Sequence, residues 1–251
     1  MDPILTVTRD GIAFIKFNRP DALNAFTPDL LKMLVTTVKQ ADADPETHVA
    51  ILEGEGRAFS AGVDLKVLQD IDPDKGRIGD VFDGSAAEAA SVIRNAALPI
   101  IAKVHGACFT GALELAMHCD FILTTEDTKF GDTHCKWGLR PTWGMSQNLA
   151  RAVGVRRARE LTFSARTFSG AEASQWGLAN SAVPNKETLD TVTNDLAHQI
   201  AANSPGAISA NKQLYRLHEE YRPLEDALDA EVMLEFPEIE DTVDRLKGFG
   251  K

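Results

Sequence analysis

No stretch of the 251-residue chain reaches the roughly 18 consecutive apolar residues that a membrane-spanning helix needs. Its first residues, Met1-Asp2-Pro3-Ile4, offer neither a positively charged n-region nor an apolar h-region, so no secretory segment is predicted. Cysteine is scarce. Cys108, Cys119 and Cys135 are odd in number and irregularly spaced, which argues against a disulfide framework and for a reduced, cytoplasmic setting. There is no C-x-x-C and no H-E-x-x-H. Asp132, His134 and Cys135 stand close together without zinc-ligand spacing, and no metal is expected there. Positive charge is short as well: a net charge of −11 leaves no basic face for nucleic acid, while a local basic pocket for an anionic ligand stays possible. Gly54-Glu55-Gly56 lacks the rest of a dinucleotide fingerprint and reads as a turn.

What is present describes a globular protein, 44% apolar and 25% charged, of one large domain or one domain with an appendage. Residues 4–8 and 12–17 flank Asp10-Gly11, a hairpin signal. Thr27-Pro28 offers an N-cap followed by proline at the first helical position. Leu30, Leu31, Leu34, Val35, Val38 and Ala41 then recur at helical spacing to about residue 43. Short apolar strands are expected at 48–52, 99–104 and 120–123, with helices at 86–96 and from Gly111 to about His118. This alternation predicts an α/β fold with some parallel pairing. The polar, glycine-punctuated segment 70–85 reads as a solvated loop or an active-site lid. Ser169 and Glu172 make a capping box, and Gly177 stands where that helix would stop. Helices follow at about 186–202, 206–219 and 223–235. The expected division is therefore an α/β core at 1–194 and a helical region at 195–251.

Two small-residue turns carry the chemistry. Ala58-Phe59-Ser60-Ala61-Gly62-Val63-Asp64-Leu65 and His105-Gly106-Ala107-Cys108-Phe109-Thr110-Gly111 each follow an apolar strand and open into a helix. Such turns leave backbone N–H groups pointing outward, and two facing turns can hold one developing oxyanion. Glu114 follows on the first turn of the second helix. That combination points to an enzyme acting on a carbonyl compound.

These stretches, with Asn18-Arg19-Pro20-Asp21-Ala22-Leu23-Asn24-Ala25, Phe130-Gly131, Gly138, Pro141 and Gly170-Ala171-Glu172-Ala173, resemble the crotonase superfamily of enoyl-CoA hydratases and isomerases. The order and spacing are kept over nearly the whole chain. The resemblance implies a crotonase-type spiral of ββα units with a C-terminal helical, trimerisation region, assembled as trimers or dimers of trimers. It implies an acyl-CoA substrate and no separate cofactor, coenzyme A being part of the substrate. It assigns the oxyanion hole to the amides of Val63 and Gly111, and coenzyme A contacts to Ala22, Leu23, Ala61, Gly62, Asp64 and Leu65. Asp21 stands where many relatives have lysine, and Lys66, Arg57 and Lys247 are candidate replacements.

The carboxylates decide the reaction. Hydratases of the family use two glutamates around one water. Glu114 matches the first, and His134 occupies the position of the second. Three readings follow. His134 takes over proton transfer; or Asp132 supplies the second carboxylate with His134 orienting it; or Glu114 acts alone, as in Δ3-Δ2 enoyl-CoA isomerisation. A non-catalytic acyl-CoA binding protein is the remaining alternative. Trp143 either narrows the acyl pocket or belongs to the core. Thr142 cannot serve as the aspartate nucleophile of the dehalogenase-like branch.

Overall fold

The computed structural model describes residues 2–68, 76, 80–219, 226 and 237; the helix expected at 223–235 apart from residue 226, residues 70–75 and 77–79 of the expected loop or lid, and Lys247 lie outside this set. The chain opens with an antiparallel hairpin of β1 (Ile4–Arg9) and β2 (Ile12–Phe17). Asp10 and Gly11, both at positive φ, make the turn whose twist suits a two-residue hairpin. The first long helix, α1 (Pro28–Ala43), begins at the Thr27 cap, whose side chain accepts the Leu30 N–H, and buries the six apolar residues spaced for it.

The chain then winds. β3 (Val49–Gly54) leads through the first small-residue turn to α2 (Leu65–Leu68) and α3 (Asp80–Asn95). β4 (Ile100–Val104) is followed by β5 (Ala107–Phe109) and α4 (Gly111–Ala116). After β6 (Phe121–Thr125) and β7 (Lys129–Gly131) come α5 (Met145–Val153) and α6 (Val155–Ser164). β8 (Phe168–Ser169), α7 (Gly170–Gln175) and β9 (Ser181–Val183) complete the winding, and α8 (Lys186–Ala201) and α9 (Pro205–Glu219) follow.

Two sheets grow side by side. The larger runs β1-β2-β3-β4-β6-β9 and is parallel from β2 onward; the smaller runs β5-β7-β8. Ser60 extends the smaller sheet through a parallel bridge to Cys108. The turns that begin at β3, β4 and β6 each lay a strand in the large sheet, add a bridge or a short strand to the small sheet, and then form a helix. That is the expected ββα spiral.

A parallel sheet must be covered on both faces, and alternate residues of β3 show how. Ala50 and Leu52 join the core under α1 and α3. Val49 and Ile51 join a second cluster with Leu189 and Ala197 of α8. Glu53 and Lys103 stand opposite each other on β3 and β4, paired in a buried ion contact that Asp190 of α8 completes. The expected boundary between residues 194 and 195 falls inside α8. Helix α9 is tied to the same body by Lys212, whose Nζ donates to Asp120 at 2.8 Å and to the Leu98 carbonyl at 2.9 Å.

Two local expectations need correction. Helix α3 begins at Asp80, so 80–85 are helical rather than loop or lid, because Phe82 is buried there together with Ala86, Ala89 and Ile93 at helical spacing. Helix α4 stops at Ala116, two residues short of His118. No helix among the described residues is long and apolar enough to cross a membrane.

Candidate active site

The segment 18–26 is the platform on which the first turn is built. Buried Asn24 sits at φ +54, donates from Nδ2 to the carbonyls of Glu55 and Ala58, and accepts the Arg19 N–H on Oδ1. Ser60 donates to the Asn24 carbonyl and accepts the Gly62 N–H. Phe26 then bridges both sides of Val63: its N–H donates to the Gly62 carbonyl at 2.7 Å, and its carbonyl accepts from Asp64 at 2.8 Å. In a parallel bridge the central residue's own N–H faces the other way. The Val63 amide therefore points away from Phe26, and Val63 lines a cavity of about 860 Å³.

The second turn lies against the first. The Phe59 and Ser60 N–H groups donate to His105 and Ala107, and Phe109 donates back to Ser60. Gly62 is needed here twice over. Its φ is +92, and a Cβ would stand 2.5 Å from Thr110 Oγ1 and 2.7 Å from the Phe109 carbonyl oxygen. Thr110 takes φ 44, ψ −114, a rare conformation for a residue with a side chain, and its N–H is held by the Gly131 carbonyl at 2.9 Å. This sharp reversal brings Gly111 onto the cavity wall at the start of α4. Among the described residues, neither the Val63 nor the Gly111 N–H has an acceptor within the protein.

Glu114 lies one turn into α4, buried and on the same cavity wall. Its Oε1 accepts two backbone N–H groups, from Trp143 at 3.1 Å and Met145 at 3.0 Å. That clamp turns Oε2 toward His134, whose Nε2 stands 3.8 Å away. His134 is fixed from behind: its Nδ1 lies 2.7 Å from Asp132 Oδ1, which also accepts the His134 backbone N–H. Asp132 Oδ2 accepts the hydroxyl of Thr162 on α6 at 2.7 Å.

Asp132 and His134, both left open as candidates for the second group, take different places in the site. Asp132 is fully buried, both its oxygens are engaged, and it stands behind the histidine, off the cavity wall. It holds the His134 ring, and His134 is the side chain that reaches the cavity. Among the described residues no group of three His, Cys, Asp or Glu side chains is arranged to hold a metal.

Electrostatics follow from this packing. Burial pushes the Glu114 carboxyl above its ordinary range, only partly opposed by the nearby His134 and the two amides. Burial alone would lower His134, but the Asp132 hydrogen bond and the charges of Glu114 and Asp132 raise it overall. Burial would raise Asp132, yet the hydrogen bonds from His134 and Thr162 hold it below the usual carboxylate value. Because Asp132 fixes the proton on Nδ1, Nε2 is the nitrogen that gains and loses a proton toward Glu114.

The rest of the cavity extends from this centre past Ala22, Ala61 and Asp64 to Lys66, Lys136 and Arg140. Asp64 is spent on structure: it pairs with Arg19 at 2.9 Å and accepts the Lys66 N–H. Leu23 and Gly62 stand behind the wall, Leu23 supporting it by accepting the Ala61 N–H. Leu65 opens α2 directly after Asp64. Lys66 reaches the cavity, whereas exposed Arg57 is not part of its wall. Trp143 is both things the sequence left open, buried in the core and facing the cavity. Sequence reasoning missed the Trp143 and Met145 amides, Thr162, and Asp83, which accepts the Trp143 indole N–H. Their partners lie 29 to 60 residues away, and no local pattern marks them.

Paired free amides beside a buried glutamate, on a ββα spiral, define an enzyme of the crotonase type. The chain belongs to the enoyl-CoA hydratase/isomerase family, whose model matches residues 7–249. It is 36% identical over 216 residues to a probable enoyl-CoA hydratase of Rhizobium meliloti, covering 86% of this chain and 82% of that protein. A peroxisomal Δ(3,5)-Δ(2,4)-dienoyl-CoA isomerase of Arabidopsis thaliana is 31% identical over 82% of this chain and 77% of its own length. The crystal structure of enoyl-CoA hydratase from Bacillus anthracis matches with a TM-score of 0.90 at 28% identity, covering 98% of this chain and 94% of that one.

Proposed function

We propose that the protein adds water to the double bond of a 2-enoyl-CoA thioester. The observation that carries this reading is the Glu114–His134 pair. A gap of 3.8 Å between Oε2 and Nε2 is too wide for a good direct hydrogen bond, but one water oxygen can bond both atoms at ordinary distances. The thioester oxygen docks on the Val63 and Gly111 amides. As water attacks the β-carbon, Glu114 takes its proton, and the resulting enolate oxygen is held by the two N–H groups. His134, carrying its proton because Asp132 and Glu114 favour the charged ring, delivers that proton to the α-carbon. Proton transfer from Glu114 to His134 through the site restores the starting state. No metal or redox cofactor enters these steps.

The Ala22 and Ala61 side of the cavity would take the pantetheine arm. Lys66, Lys136 and Arg140 would face the phosphates, replacing the lysine absent at Asp21. The exposed Val155, Phe163 and Tyr215 support assembly into trimers or pairs of trimers, in which such apolar side chains are covered.

Loss of crotonyl-CoA absorbance tests the reaction. Wild type consumes substrate, and Glu114→Gln loses about 10²–10⁴-fold in kcat. The carboxamide oxygen of that variant still accepts both backbone N–H groups, so thermal stability stays close to wild type. If wild type does not hydrate crotonyl-CoA but interconverts 3-enoyl and 2-enoyl isomers, the one-carboxylate isomerase replaces this reading. Acyl-CoA binding without either turnover leaves a binding protein.

A further inference from the structure

Trp143 is held by its ring and by its backbone alike. Its indole N–H donates to Asp83 Oδ1 at 3.3 Å, an oxygen that also accepts the Thr142 hydroxyl at 2.8 Å. Its ring leans on fully buried Phe82 with centroids 6.2 Å apart. Its backbone N–H holds Glu114, and its carbonyl accepts His118 Nε2 at 2.8 Å. The six-membered edge presses on Gly111, where any side chain would collide with Cζ3.

The tryptophan therefore touches both the residue whose amide anchors the carbonyl and the carboxylate that faces the β-carbon. We propose that Trp143, braced by Asp83, is the end wall of the acyl pocket and restricts the enzyme to short 2-enoyl groups. This rests on the thioester reading above. An acyl chain seated on Gly111 and passing Glu114 meets the indole next. Swinging the ring aside would break the Asp83 bond and open a hole beside Phe82. A long chain following this path thus disrupts the support of Glu114 itself.

The test is a ratio. kcat/KM is measured for crotonyl-, 2-octenoyl- and 2-decenoyl-CoA with wild type, Trp143→Phe and Trp143→Ala. Wild type is expected to prefer crotonyl-CoA by at least about tenfold, the scale of one poorly housed methylene. Trp143→Ala should move the long-to-short ratio upward by about tenfold or more, with Trp143→Phe between. The ratio cancels any general loss from a misplaced Glu114, and Asp83→Ala, which frees the indole without removing it, should shift it the same way. A wild type indifferent to chain length, or ratios unchanged in all three variants, overturns the proposal. If wild type hydrates none of the substrates, calorimetry with butyryl- and decanoyl-CoA reads the pocket directly. Tighter butyryl-CoA binding that Trp143→Ala reverses upholds the wall while hydration is refuted; equal affinities overturn the wall as well.

Discussion

Replacing Asp132 with Asn keeps the shape of the side chain and removes its charge from behind His134. In wild type the carboxylate accepts three hydrogen bonds: from the His134 ring at 2.7 Å, from the His134 backbone at 3.2 Å and from Thr162 at 2.7 Å. A hydrogen bond to a charged group contributes about 1.5–3 kcal/mol and a neutral one about 0.5–1.5. The difference, about 1–1.5 kcal/mol, corresponds to roughly one pKa unit at 1.36 kcal/mol per unit. In kcat/KM against pH, the acid limb reports Glu114 losing its proton and the alkaline limb reports His134 losing its own. Both limbs should lie above the ordinary values of 4.5 and 6.5. Asp132→Asn should move the alkaline limb down by about one unit, costing up to about tenfold in kcat/KM on the alkaline side of that limb and little on its acid side. Stability should follow with a defined sign. His134, raised in the fold, stabilises fully below 6.5 and loses that contribution as pH rises through its folded value. Asp132, lowered in the fold, stabilises above 3.8 and loses that contribution as pH falls through its folded value. The deficit of the variant in urea unfolding should therefore be largest between 3.8 and 6.5. An alkaline limb that stays in place while the whole profile drops would refute the coupling and reduce Asp132 to a structural role.

Two further changes probe the scaffold. Gly62→Ala forces a side chain into φ +92 against Thr110. It should cost about 1–3 kcal/mol in unfolding free energy, and about 10²-fold in kcat/KM if the Val63 amide is displaced by an ångström; a variant with wild-type kinetics would show that the turn spacing is not critical. Thr162→Val removes a donor from the buried carboxylate and should destabilise by about 1–3 kcal/mol in urea unfolding, with only a small change in the alkaline limb. A large shift of that limb would mean that Thr162 governs His134 as strongly as Asp132 does.

Elements whose determinants are local were legible before the fold was known. Helix α1 runs from Pro28 to Ala43 because Thr27, Pro28 and the apolar spacing act within a few turns. The Ser169–Glu172 capping box forms as its pattern requires, with both reciprocal bonds present. Strands β5 and β7 were not legible. At three residues each they show no period, and they exist because Cys108 meets Phe130 across the spiral. The start of α3 was misread for a related reason. Asp80, Asp83 and Gly84 look like loop, but Phe82 is buried and Asp83 is engaged by a tryptophan 60 residues away.

The site divides along the same line. The sequence by itself determined the two glycine-bearing turns and the glutamate one turn beyond the second, because turn chemistry and spacing are written in neighbouring residues; its resemblance to the crotonase superfamily marked His134 as standing where the usual second glutamate would be. Only the tertiary structure decided that Asp132 stands behind the histidine, that two amides at the N-terminal end of α5 aim Glu114 at it, and that Trp143 sits over Gly111. Those relations join residues far apart in the chain, and their geometry exists only once the spiral has closed and excluded water from the space between them.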